Sequence, residues 1–153
     1  MPPLKGIDRG INGEMLKALE EIGHGAQIAV VDASYDIPKE SQTVDYQGDS
    51  SASALKGILN LVPTDNDIVI AMGSDEHDKP CPALKETYDA LGSAPITHIY
   101  VVQRLGEENG EDVLSRQGFY AIANNPEKNT LFVRTRDEKA YACAMFVVGH
   151  SQK

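Results

Sequence analysis

A chain of 153 residues, 41% hydrophobic and 24% charged, is long enough for one domain with a genuine core. Its formal charge of -9, with lysines and arginines scattered rather than clustered, excludes nucleic acid as the main partner, because phosphate binding calls for a basic face. No apolar run approaches the roughly 18 residues that cross a bilayer, so no membrane association is expected. The opening Met1-Pro2-Pro3-Leu4-Lys5 lacks the apolar stretch of a secretory signal, and the two cysteines, Cys81 and Cys143, form neither a disulfide framework nor a zinc spacing. A cytoplasmic protein in a reducing compartment is the expectation.

In chain order, Met15, Leu16, Leu19 and Ile22 recur at helical spacing, with Asn12 placed to cap the helix and Gly23 to close it. Gln27 to Asp32 reads as a short buried strand, and Thr43 to Tyr46 as another within a polar loop. A second helix fits Ser51 to Val62, with Leu55, Ile58, Leu59 and Val62 on one face and Asp49 or Ser50 as its cap. Asp67 to Met72 is the next strand. Pro82 and Gly92 bracket a third helix, and Thr97 to Val102 follows as a strand. Glu111 to about Asn124 is a fourth helix, stopped by Asn124-Asn125-Pro126. Thr130 to Thr135 and Tyr141 to Val148 are two closing strands.

Strands alternating with helices predict a single α/β domain with a central, largely parallel sheet flanked by helices. Ligands of such sheets bind beyond the carboxyl ends of the strands, which singles out Asp32 to Tyr35, Gly73 to Asp78 and the loop after Val102. No glycine-rich phosphate-binding motif follows a strand, so nothing supports a dinucleotide or a nucleoside triphosphate.

Several residues carry possible chemistry. His24 lies between Gly23 and Gly25, on backbone that bends easily, and an imidazole both accepts and donates protons near neutral pH; the alternative is a helix stop followed by a surface histidine. Asp32, at a strand end, could orient His24 or bind a hydroxyl, or it could cap the following turn. Asp75-Glu76-His77-Asp78 reads as a solvated acidic loop rather than a metal site, since contiguous residues rarely all face one ion. Arg116 and Tyr120, four apart, share a helix face. Arg116 suits a sugar hydroxyl or an oxyanion, or else packs on a core tyrosine. Tyr141 supplies either a phenol to a pocket or an ordinary strand aromatic. Cys143 has no base near it in sequence and reads as a small buried hydrophobe.

The order of these residues resembles the fucose mutarotase and ribose pyranase family, also described as ribose and fucose transport-associated proteins. The matching stretches are Leu4-Lys5-Gly6-Ile7, Met15-Leu16-Lys17-Ala18-Leu19, Ile22-Gly23-His24-Gly25, Ile28 and Val31-Asp32-Ala33. Near the other end they are Phe132-Val133-Arg134-Thr135, Tyr141-Ala142 and Gly149; Arg116 with Phe119-Tyr120 looks like the fucose branch. The resemblance implies a monosaccharide mutarotase working by proton transfer without metal or coenzyme. It implies His24 and Asp32 as the active-site pair, Tyr120 and Tyr141 as further proton-transfer or hydroxyl-binding groups, and Arg116 as a substrate-binding residue. It also implies a ring-like homo-oligomer, often a decamer, with sites between subunits. Cys143 stands where the family usually has asparagine, Ala26 where an acidic residue often follows Gly-His-Gly, and the segment from Tyr120 to Thr135 is a few residues longer. The Cys143 difference motivates the alternative of a sugar-binding protein without catalysis.

Overall fold

A computed structural model describes residues 7–64, 68–72, 86–87, 89–90, 98–102, 115–139 and 142–149. Helix α1 spans Gly13–Glu21, strand β1 Gln27–Val31, β2 Gln42–Asp45, helix α2 Ser51–Leu59, β3 Ile68–Met72, β4 His98–Val102, helix α3 Ser115–Ala123, β5 Thr130–Arg134 and β6 Ala144–Val147. The expected helix between Pro82 and Gly92 lies largely outside the described residues; Glu86, Thr87, Asp89 and Ala90 within it are helical.

The sheet has six strands in the order β2-β5-β1-β6-β3-β4. The pairs β2–β5, β5–β1 and β3–β4 are parallel, whereas β6 lies antiparallel between β1 and β3. The α/β class and the largely parallel sheet are therefore as expected, with one strand reversed at the centre. That reversal follows from connectivity. Among the described residues no helix separates β5 from β6; the chain turns back at the end of β5, passes over the end of β1 and runs down its far side.

All five residues of β1 are buried, because helices cover both sheet faces. Ile28 and Val30 face α1 and α2 with Leu131, Val133 and Phe146, while Ala29 and Val31 face α3 with Phe119, Phe132 and Met145. This two-residue alternation assigns each strand position to one core layer. Helix α1 begins where the Asn12 side chain accepts the Met15 amide at 2.9 Å, and it buries Met15, Ala18 and Leu19. Helix α2 begins at Ser50, whose hydroxyl accepts the Ser53 amide at 3.1 Å.

Between α1 and β1 the chain turns through Gly23-His24-Gly25. Gly25 has φ 87°, the left-handed region that favours glycine. Its amide donates to the Val148 carbonyl at 3.0 Å, tying the turn to the end of β6. A Cβ built on Gly25 would meet nothing within 4 Å, so substitution there costs backbone strain alone. Gly25→Ala is expected to lower unfolding free energy by about 1–2 kcal/mol in urea titration, with the fold retained. An unchanged unfolding midpoint would mean that the turn relaxes without strain.

Candidate functional site

The carboxyl end of β1 delivers Asp32 to the sheet edge where ligands of parallel sheets bind. Asp32 is only 7% exposed. Its Oδ1 accepts the Ser34 amide at 3.1 Å and the Ser34 hydroxyl at 3.0 Å. Its Oδ2 faces the Cys143 thiol, with Sγ at 3.6 Å. Burial, then the negative charge of Asp32, push the Cys143 thiol well above its usual range, so it stays protonated and donates weakly to the carboxylate. Cys143 is buried as expected, but beside a carboxylate rather than in a purely apolar setting. A carboxylate offers about four acceptor positions. The described partners leave room on Oδ2 for a further donor such as a hydroxyl.

The connection from β5 to β6 arches over this end of β1. Thr135 donates both its amide, at 3.0 Å, and its hydroxyl, at 2.8 Å, to the Val31 carbonyl. The Ala33 amide donates to the Asp137 carbonyl at 2.8 Å. From the end of β5, Arg134 reaches the Ala33 and Tyr35 carbonyls at 2.9 and 3.1 Å. The turn carrying Asp32 is therefore held by backbone and side-chain bonds from one segment of chain.

Asp137 is itself buried, at 2% exposure. Its Oδ2 accepts the amide and the hydroxyl of Ser51, at 3.0 and 3.2 Å, at the first turn of α2. Its Oδ1 accepts the Lys139 amide at 3.0 Å and pairs with the Lys139 ammonium at 2.9 Å. Lys139 also reaches Glu86, at 3.3 Å. Burial alone would raise the Asp137 carboxyl. The Lys139 ammonium and the two donated amides outweigh it and hold the carboxyl below its usual range. Hydrogen bonding to Asp137 raises Lys139 in turn, more than its slight desolvation lowers it.

Behind Asp32, Tyr35 is buried and its hydroxyl donates to Asn124 Oδ1 at 2.7 Å, just past α3. Burial pushes its phenol far above the usual range, so it remains a donor. Tyr120 meets Tyr35 edge-on at 5.0 Å between ring centroids. This sequence-predicted site residue is thus half-buried at the back of the Asp32 turn, packed against the α3 core layer. Arg116 lies on α3 one turn before Tyr120, with its side chain outside the described part. Tyr141, and the acidic run Asp75-Glu76-His77-Asp78, lie outside the described residues.

His24 is elsewhere. It precedes β1, whereas Asp32 follows it. At about 3.3 Å per residue, β1 alone separates them by roughly 13 Å. Within one chain, Asp32 cannot hold the His24 ring. His24 is exposed beside a shallow groove of about 280 Å³ lined by Leu19, Ile22, Leu61, Val62, Pro63 and Val148. Sequence reasoning placed Tyr35 at the ligand edge without giving it a role, and missed Asp137 and Lys139. The spacing of Thr135, Asp137 and Lys139, each two apart, was the available signal, since such residues bond backbone two positions away.

The Asp137 arrangement has a pH signature. A depressed carboxyl contributes stability that is present above its unfolded value of about 3.8 and is lost as pH falls through its folded value. Raised Lys139 contributes below its unfolded value of 10.5, a contribution lost as pH rises through its folded value. Urea midpoints measured between about pH 6 and about pH 2 are expected to fall less steeply below about pH 4 in Asp137→Asn than in the wild type. Identical acid slopes would remove Asp137 as the responsible group.

Comparison with known proteins gives a consistent pattern. A search of curated protein sequences found no significant match. Among solved structures, the fucose mutarotase of Streptococcus pneumoniae, determined with L-fucose, superposes with a TM-score of 0.73 at 22% identity, over 97% of this chain and 100% of that one. FucU from Bifidobacterium longum gives a TM-score of 0.74 at 22% identity, over 95% and 100%. Bacillus subtilis RbsD, determined with D-ribose, gives 0.65 at 16% identity, over 93% and 95%. At these identities the likeness is one of fold. The profile of the RbsD / FucU transport protein family matches residues 5–151, nearly the whole sequence, and the chain belongs to that family.

Proposed function

We propose that this protein is a monosaccharide mutarotase that interconverts anomers or ring forms of a fucose- or ribose-like sugar. The observation that carries the reading is the Asp32 carboxylate, fixed by Ser34 and Cys143 at the ligand edge of the sheet, with acceptor capacity left on Oδ2 by its partners among the described residues. Family membership supports the sugar, as do the L-fucose and D-ribose complexes of the fold relatives from S. pneumoniae and B. subtilis.

Mutarotation breaks the bond between the ring oxygen and the anomeric carbon. The anomeric hydroxyl gives up a proton and becomes the carbonyl, and the ring oxygen takes a proton and becomes a hydroxyl. Closure on the other carbonyl face, or by another hydroxyl, reverses these transfers. No net proton or electron is consumed. Two placed proton-transfer groups suffice, each worth about 10²–10⁴ in rate. In this reading His24 relays one proton, and Asp32 accepts a sugar hydroxyl and keeps the ring oriented. Tyr120 or Tyr141 serves the other proton or holds a hydroxyl, and Arg116 binds hydroxyls and stabilises developing charge on oxygen.

The separation of His24 from Asp32 along β1 favours a homo-oligomer in which one subunit supplies His24 to the Asp32 end of another. The apolar side chains beside His24, including Leu61 at 38% exposure, suit burial in such a contact. The enzyme would act in the cytoplasm. Cys143 favours one alternative, a sugar-binding protein without catalysis. Its thiol donates where the family's usual asparagine would both donate and accept.

Exchange NMR with L-fucose, D-ribose and a panel of other aldoses tests the function. Faster anomeric exchange for at least one sugar is expected, reduced by about 10²-fold or more in a folded His24→Ala protein. Saturable sugar binding with no acceleration would establish the alternative. A shared site makes a second prediction. After unfolding and co-refolding, a mixture of His24→Ala and Asp32→Asn chains is expected to be more active than either variant alone. No gain over the single variants would mean that the two residues do not combine across subunits.

A further inference from the structure

The turn carrying Asp32 is anchored behind by Tyr35 on the α3 layer, and on its other side by the β5–β6 connection. Within that connection Asp137 is the best anchored residue. Its carbonyl accepts the Ala33 amide, one residue from Asp32. Its carboxylate is tied on one oxygen to the first turn of α2 through Ser51, and on the other to Lys139. Its own amide donates to Thr135 Oγ1 at 3.3 Å, and the same hydroxyl donates to the Val31 carbonyl at the base of the turn. The connection then continues to Cys143, whose thiol meets the other side of Asp32.

We propose that Asp137, held by Ser51 and Lys139, is a positioning residue that acts on the sugar through Asp32: it clamps the β5–β6 connection to α2 and thereby sets where the Asp32 carboxylate points. The proposal rests on the mutarotase reading for its activity consequences, though not for its structural ones.

The chemistry requires an anion at this position. Two groups that can only donate in their bonded arrangement, the Ser51 amide and the Lys139 ammonium, converge on Asp137 from opposite sides. A carboxylate accepts on both oxygens, whereas an asparagine of the same shape presents an NH₂ to one of these donors and repels it. Asp137→Asn therefore loosens one end of the clamp with little change in volume. No atom of Asp137 needs to touch substrate, so the variant should act on rate by misplacing Asp32. A displacement of about 1 Å from a remote change can cost on the order of 10²-fold.

Two readouts test the proposal. The first is a double-mutant cycle on sugar exchange. Asp137→Asn is expected to slow exchange by about 10- to 100-fold in the otherwise wild-type protein and by under about threefold in the Asp32→Asn background, because residues acting through one another are not additive. A general structural role would give the same loss in both backgrounds and would overturn the proposal. The second is hydrogen exchange in sugar-free protein. Ala33 and Ser34 amides are expected to exchange faster in Asp137→Asn while β1 amides keep their protection. Unchanged protection at Ala33 overturns the proposal whatever the sugar result. If the wild type accelerates no sugar but Ala33 loses protection in the variant, the function reading fails and the clamp stands. Should Asp137→Asn not fold, Lys139→Gln removes the ammonium and leaves the carboxylate; it is expected to show the same pattern in both readouts at smaller amplitude, and additive or absent effects there overturn the proposal.

Discussion

The return of the chain from β5 to β6 over the end of β1 is the constraint on which the rest of the site depends. A connection crossing a sheet edge must satisfy its backbone groups, and here it does so on the turn beneath it. Thr135 bonds the last carbonyl of β1, and the Asp137 carbonyl accepts the Ala33 amide. The consequence is chemical as well as structural. A strand that ran parallel would enter the sheet from the opposite edge. Because β6 is antiparallel, it starts at the carboxyl end of β1 and brings Cys143 against Asp32.

A buried carboxylate at a ligand edge is costly unless hydrogen-bonded, and the fold meets this requirement twice. Asp32 is served by the local turn and by the thiol across it. Asp137 is served by a helix start and by a lysine. The two differ in what remains for chemistry. Asp137 has both oxygens engaged by cation and amides, which suits a structural tie. Among the described residues, Asp32 has only a weak sulfur donor on Oδ2, which suits a carboxylate that must accept a substrate hydroxyl.

Much of this fold was legible in the sequence, because its signals are local. Asn12 marks the start of α1, Asp49 or Ser50 offered the start of α2 and Ser50 caps it, and the apolar run from Ile28 to Val31 in β1 reports burial on both faces. Gly25 was legible as a bend, and its positive φ gives the reason. The antiparallel placement of β6 was not legible, since strand order depends on contacts between distant segments. The same holds for the site. Cys143 lies 111 residues from Asp32 and Asp137 lies 86 from Ser51, so neither pairing leaves a local pattern. The expectation that Asp32 orients His24 treated eight residues of sequence as nearness. A strand lying between them makes that spacing a distance, and only a second subunit can remove it.

The central claim, a sugar site completed between subunits, is tested most directly by a crystal structure of the assembled protein with a bound monosaccharide. The account predicts sugar hydroxyls within hydrogen-bonding distance of Asp32 from one subunit and of His24 from a neighbour, with the anomeric centre between them. A sugar bound at Asp32 with every His24 in the assembly remote from it, or a monomer that binds sugar fully, would contradict it.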